Sequence, residues 1–189
     1  MVVNNQYIFS IRLVIVILFN MFCTTMVSGQ NTSGENARAS ANLLGPIRIE
    51  NISDLNFGII VKSSSGEGSV DINAFNGTVN YINITNVGED FTSRASFQVY
   101  GEIGAIYSIS ISDAGGDNMP DKVTLIKTGD GFVETMTAQL NHNKTSIETN
   151  TISSDSDSNL IYVGGKLIVG PSQAPGSYQG SFNVVVSYQ

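Results

Sequence analysis

Apolar and polar residues alternate singly through most of this chain. Ala95, Phe97 and Val99 alternate with Ser96, Gln98 and Tyr100, and Tyr107, Ile109 and Ile111 alternate with Ser108, Ser110 and Ser112. A period of two sends successive side chains to opposite faces of an extended strand. An apolar row backed by a hydroxyl- or amide-rich row therefore predicts a sheet packed on one face only. The same character recurs at Ile47 and Ile49, across residues 57–61, at Val70, Ile72 and Ala74, and at Val79 and Tyr81 with Ile82 and Ile84. Residues 123–126, 132–140 and 160–169 supply three further strands, and the chain closes on Phe182, Val184, Val186 and Tyr188. An earlier strand is expected where Ala37, Ala39, Ala41 and Leu43 alternate with Arg38, Ser40, Asn42 and Leu44, before Pro46 breaks the run. Gly66, Gly68, Asn76-Gly77 and Gly88 punctuate these segments where turns require positive φ. Residues 141–159, with only Ile147 and Ile152 apolar, read as a long loop or a weak edge strand. About eight to ten short strands joined by Gly and Asn turns predict an all-β fold, an immunoglobulin-like β-sandwich, with an up-and-down barrel as the competing arrangement.

The N-terminal stretch departs from this pattern. From Leu13 to Val27 the chain is dominated by Ile, Leu, Val, Phe and Met and carries no charge, with Arg12 and the terminal amine as the positive groups before it. A short apolar block behind a positive front is the pattern of a secretion signal. A spanning helix needs about 20 apolar residues, and Asn20 and Thr24-Thr25 interrupt this one. Val27-Ser28-Gly29 offers the small side chains that a signal peptidase admits. The expected organisation is a cleaved signal peptide over residues 1–29 and a single β-sandwich domain over residues 30–189, with no integral membrane segment after cleavage.

Composition narrows the function. Cys23 is the only cysteine and falls within the signal, so the exported domain has neither a disulfide nor a thiolate metal site. Phe22 stands before it, where lipoprotein processing takes a small residue. Removing Arg12 from nine Lys and Arg leaves eight against sixteen Asp and Glu, a net charge near minus eight. Such a surface repels phosphate backbones and anionic lipid, which argues against nucleic-acid or membrane-surface binding. Charged residues make up only 13% of the chain, against about 25% in soluble proteins generally. Ser, Thr, Asn and Gly carry solubility instead.

Catalytic groupings are sparse. His142 is the only histidine and stands in a polar stretch with no patterned nucleophile. Glu89-Asp90 has no feature that would fix a carboxylate separation. Asp155, Asp157 and Asn159 follow the first, third and fifth ligand positions of a calcium loop, but Leu160 and Lys166 stand where the loop wants Gly and a bidentate Glu. Asp113, Asp117 and Asp121 with Asn118 form a second acidic loop. Five Asn-x-Ser/Thr sequons begin at Asn31, Asn51, Asn76, Asn83 and Asn143, and Tyr100 and Tyr178 are the aromatic candidates for stacking on sugars. No enzymatic role and no cofactor is implied.

Three stretches stand out together. They are Asp54-Leu55-Asn56-Phe57-Gly58; Phe97-Gln98-Val99-Tyr100-Gly101 leading to Tyr107-Ser108-Ile109; and Val163-Gly164-Gly165-Lys166-Leu167 followed by Ala174-Pro175-Gly176-Ser177-Tyr178-Gln179-Gly180-Ser181-Phe182. In this order the chain resembles the bacterial envelope family called domain of unknown function 4402. That resemblance implies a signal peptide followed by one β-sandwich, exported by a Gram-negative bacterium to the periplasm or cell surface. A looser resemblance is to pilus subunits assembled by chaperone and usher: Tyr188 is next to last, and Gly176 is the fourteenth residue counted back from Gln189. It implies a surface for strand exchange comprising Gly176, Phe182, Val184, Val186 and Tyr188, with other subunits or a periplasmic chaperone as partners. The disulfide common in pilins is absent, and a last strand completing its own sheet is the competing reading. The expected function is a non-enzymatic structural or adhesive module, with a carbohydrate- or calcium-binding secreted module as the alternative.

Overall fold

The structure, a computed structural model, describes residues 5–23, 33–87, 91–115, 120–129, 134–144 and 150–189. The chain divides into two units, residues 1–42 and residues 43–189. The first holds helix α1 (Asn5–Cys23), without an acidic residue in its first turn or a basic one in its last. Among the described residues no helix is long and apolar enough to cross a membrane.

The second unit is an all-β antiparallel sandwich. Its larger sheet has eight strands among the described residues. In chain order the first strands are β1 (Arg48–Ser53), β2 (Asn56–Phe57), β3 (Ile60–Lys62), β4 (Gly68–Ile72) and β5 (Val79–Ile82). There follow β6 (Ile84–Asn86), β7 (Thr92–Ser93), β8 (Ala95–Tyr100), β9 (Ile106–Asp113) and β10 (Lys122–Lys127). The last are β11 (Thr135–His142), β12 (Asn150–Thr151), β13 (Leu160–Val169), β14 (Tyr178–Gln179) and β15 (Phe182–Tyr188). The large sheet runs β1-β8-β13-β11-β10-β14, with β4 attached to β13 and β5 to β4. A smaller sheet, β12-β9-β15, forms the second layer, and the β2-β7 and β3-β6 pairs complete the fold.

β13 organises the large sheet. Along one side it pairs with β11; along the other, Leu160 to Val163 pair with β8, and Gly165 to Val169 pair with β4. The change of partner falls at Gly164, where a Cβ would run into the Ile72 carbonyl oxygen and come within 2.7 Å of the Ala74 amide nitrogen. Only glycine lets the two backbones approach this closely.

The alternating rows meet in one core. Val70, Ile72, Ala95, Val99, Val123, Ala138, Leu140, Ile161, Val163 and Leu167 of the large sheet are buried with Tyr107, Ile109 and Ile111 of β9. Fully burying a Val, Leu or Ile side chain contributes about 1.5–3 kcal/mol, so this thiol-free domain is held by packing. β15 joins in register, Val184 opposite Ile111, Val186 opposite Ile109 and Tyr188 opposite Tyr107.

Two expectations change. The segment around Ala37 to Leu43 forms no strand, and residues 33–44 lie exposed, Leu43 at 95%. Its alternating row is mainly alanine methyls, which bury too little surface to hold a strand without a paired neighbour. The run from Val79 to Ile84 is split into β5 and β6 by Asn83, whose φ is 51°. Residues 150–159, within the stretch expected as a long loop or a weak edge strand, hold the edge strand β12 and a short 3-10 turn, Ser156–Asn159.

Candidate functional site

On the large sheet Val123, Ala138 and Leu167 are buried, whereas the next pair outward, Leu125 opposite Met136, is only half-buried. Two irregular segments border this row. In the first, the Asn56 side-chain oxygen accepts the Gly58 N–H at 2.9 Å, and Gly58 takes a φ of 81°. This turn joins β2 to β3 around the buried Phe57, and Leu55 and Ile60 line the gap. In the second, one carboxylate oxygen of Glu134 accepts the Ala174 N–H at 2.9 Å and lies 3.2 Å from the Tyr178 hydroxyl. That hydroxyl accepts from Gln173 Nε2 and donates to the Ala174 carbonyl, both at 2.8 Å. The bend between them places Gly176 at a φ of 149°, a region that non-glycine residues seldom adopt.

An open groove runs between these walls. Its middle, about 540 Å³, is floored by Leu125, Met136 and Leu167. It continues into a cavity of about 720 Å³ beside Phe97 and Phe182 at one end. At the other end is a cavity of about 300 Å³ beside Val169 and Lys62. Lys62 Nζ donates to the Gln173 carbonyl and ties the walls together there. Asp54, Asn51 and Ser181 make the Phe97 end mainly polar, Lys62 stands at the mainly apolar Val169 end, and the two ends are oppositely charged. Among the described residues β14 pairs only with β10 and β3 only with β6, leaving each wall one unpaired backbone edge. An apolar floor bordered by strands paired on one side only is suited to an extended peptide.

The family model described as Domain of unknown function (DUF4402) matches residues 47–188. The chain belongs to the DUF4402 family. No curated protein and no solved structure matches it. The stretches that carry the sequence resemblance converge on the groove of this DUF4402 domain: Leu55 to Gly58 and Gly176 to Phe182 form its walls, while Leu167 and Phe97 lie at its floor and end.

Of the residues expected to exchange strands, the DUF4402 domain places Gly176 and Phe182 on the groove. Val184, Val186 and Tyr188 instead pair along β9 and pack on the core. The Tyr188 hydroxyl accepts the Glu102 N–H at 2.8 Å. The last strand thus completes its own sheet. Its outer edge runs close to β1, with no ladder joining the two.

Asp155, Asn159 and Asp113 have partners within the fold, and Asp157 and Asp121 lie exposed. Asp155 caps the 3-10 turn, accepting from the Asp157 N–H and the Ser158 hydroxyl. Asn159 is buried, with its oxygen on the Ser153 N–H and its nitrogen on the Ser153 carbonyl, both at 2.8 Å. Asp157 lies exposed in the same turn. Asp113 is buried and bonded to backbone, and Asp121 is exposed at a φ of 54°. Asp117, Asn118, Glu89, Asp90 and Asn31 lie outside the described residues.

The remaining candidates also have packing or backbone partners. His142 ends β11 opposite Val163; burial lowers its pKa, against the opposing pull of the Asp121 charge and a backbone hydrogen bond at Lys144. The sequon residue Asn143 accepts the Tyr162 N–H at 2.7 Å. Tyr100 carries the Arg48 guanidinium 4.0 Å above its ring.

Leu125, Met136 and Glu134 were covered by the expected strands but not singled out as site residues, and Leu55 entered only within the stretch Asp54 to Gly58. Met136 and Leu125 keep the alternation of their strands, and alternation marks an inward side chain whether or not a second layer covers it. The one available signal was the cluster Ala174 to Phe182, a turn rich in Gly around a single Tyr.

Proposed function

We propose that this chain is an exported, non-enzymatic structural or adhesive subunit of a Gram-negative envelope or cell surface, and that its groove receives an extended strand from a partner. The groove itself carries this reading: half-buried Leu125 and Met136 lie between two walls that each keep an unpaired backbone edge. An inserted strand would bury that row and satisfy those edges with main-chain hydrogen bonds, giving affinity without a catalytic group. The helix Asn5–Cys23, uncharged after Arg12, and the small residues Val27-Ser28-Gly29 later in the sequence support export by a signal removed after Gly29. The pilus-like signature supports subunit or chaperone partners, since Gly176 and Phe182 border the groove.

The test is expression of the full chain in a Gram-negative host, followed by fractionation, N-terminal sequencing and sizing of the exported protein with and without alternating apolar peptides. Export with an N-terminus near Gln30, and either self-association or a peptide-induced rise in melting temperature, is expected. Retention in the cytoplasm, or an exported protein that stays monomeric and ignores every such peptide, would refute the proposal. No observation favours the carbohydrate or calcium reading, because Tyr100, Tyr178 and Asn159 are engaged within the domain.

A further inference from the structure

Residues 43–189 contain no cysteine, and their only sulfur atoms belong to Met119 and Met136. Met119 falls outside the described residues, whereas Met136 stands on β11 opposite Leu125 and is half-buried. It lines both the middle of the groove and the mainly apolar cavity of about 300 Å³ beside Val169. A thioether sealed in a packed core is out of reach of dissolved oxidants, and one on open surface controls no packing. Met136 combines the two: solvent reaches it through the open groove, yet it belongs to the surface that a partner would cover. Resting on the reading of the groove given above, we propose that Met136 is an oxidation site that takes oxygen from a peroxide, and that its sulfoxide shuts the groove to an extended partner.

The chemistry needs nothing but the oxidant. A lone pair on the sulfur attacks one oxygen of the peroxide; the S–O bond forms as the O–O bond breaks, and the departing oxygen takes up a proton and leaves as water or an alcohol. Sulfur loses two electrons and the peroxide gains them. No thiol in residues 43–189 competes for the oxidant. The flexible apolar side chain becomes a polar one, and a reductase that removes the oxygen restores it.

The effect on binding follows from strand geometry. An extended peptide seated between the walls turns its backbone N–H groups toward them and every second side chain toward the floor. A sulfoxide oxygen on that floor then faces apolar side chains. The water that satisfies it in the open groove is expelled, and the peptide brings no donor in its place. The Tyr178 hydroxyl, which lines the same cavity, already donates to the Ala174 carbonyl at 2.8 Å. The fold itself is spared, because Ala138 and Leu167, the paired residues deeper in the same face, are at most 2% exposed and keep their contacts.

The test uses protein expressed from the full chain with Met119→Leu, treated with hydrogen peroxide and followed by peptide mass spectrometry. Met136 is expected to gain one oxygen at least about tenfold faster than the sulfur of the double variant Met136→Leu, Leu167→Met, which moves the thioether to a buried position on the same floor by volume-conserving exchanges. A synthetic peptide alternating valine with serine, titrated by calorimetry, should bind at least about tenfold more weakly after oxidation. The melting temperature of the unbound protein should not change, and sulfoxide reductase should restore the affinity. Met136→Leu should hold its affinity through the same treatment. Equal oxidation at the two positions, or an oxidised protein that binds as tightly as before, overturns the inference while the groove reading stands. If the untreated protein binds no alternating peptide, the groove reading falls and the inference falls with it.

Discussion

Asp113→Asn is a sharp test of how the two layers are held together. Asp113 lies at the end of β9 in the small sheet, 3% exposed, and its two carboxylate oxygens point at two backbone donors. One accepts the Gly115 N–H at 2.8 Å, and the other accepts the N–H of Thr124 in β10 of the large sheet at 3.0 Å. The carboxylate thus bridges the layers. Burial alone would raise its pKa, but the hydrogen bonds from Gly115 and from the Thr124 hydroxyl and N–H outweigh this and hold it below the ordinary 3.8. Asparagine keeps the shape but puts an NH₂ group against one of those N–H donors, so one charge-assisted bond is lost and a buried donor is left unsatisfied. We expect a loss of about 2–3 kcal/mol at neutral pH, read as a lower urea midpoint at unchanged slope. The sign of the pH dependence follows from the lowered pKa: the stabilisation is fully present above 3.8 and fades as pH falls through the lower folded-state value. Once protonated, the native carboxyl also turns a hydrogen toward a donor, so the gap between the two proteins should close as pH falls through the lowered folded-state value. Equal midpoints at neutral pH, or a gap that persists undiminished in acid, would refute the bridging role.

Gly164→Ala should destabilise the domain by about 1–3 kcal/mol, because its Cβ meets backbone of the β4 end rather than a side chain that can turn away; an unchanged thermal midpoint would refute this. Calcium at roughly millimolar concentration should leave the melting temperature unmoved, because Asn159 has both polar atoms on the Ser153 backbone. A rise abolished by Asp155→Ala would restore the cation site.

Much of the fold was legible because a period of two survives translation into structure. Tyr107, Ile109 and Ile111 are buried as their alternation requires, and Ala95 and Val99 likewise. The failure at Ala37 to Leu43 is informative for the same reason: alternation reports which way side chains would point in a strand, not whether a neighbour exists to pair with. The groove was half legible. The motifs ending in Gly58 and Phe182 were noticed as turn patterns, but their shared location depends on contacts between residues more than a hundred positions apart. Glu134 could not be distinguished from a solvated surface acid, since its partners Ala174 and Tyr178 are distant in sequence and one of them is a backbone group.

The position of β13 has a consequence for how the domain breathes. Flanked on both sides through its middle, from Val163 to Leu167, this strand can lose its central amide protons to solvent only when its neighbours let go, whereas β3 and β14, short and paired on one side, can fray alone. Opening is therefore cheapest where the groove lies and dearest at the spine, so the groove walls can part and close again while the remainder of the sandwich stays folded.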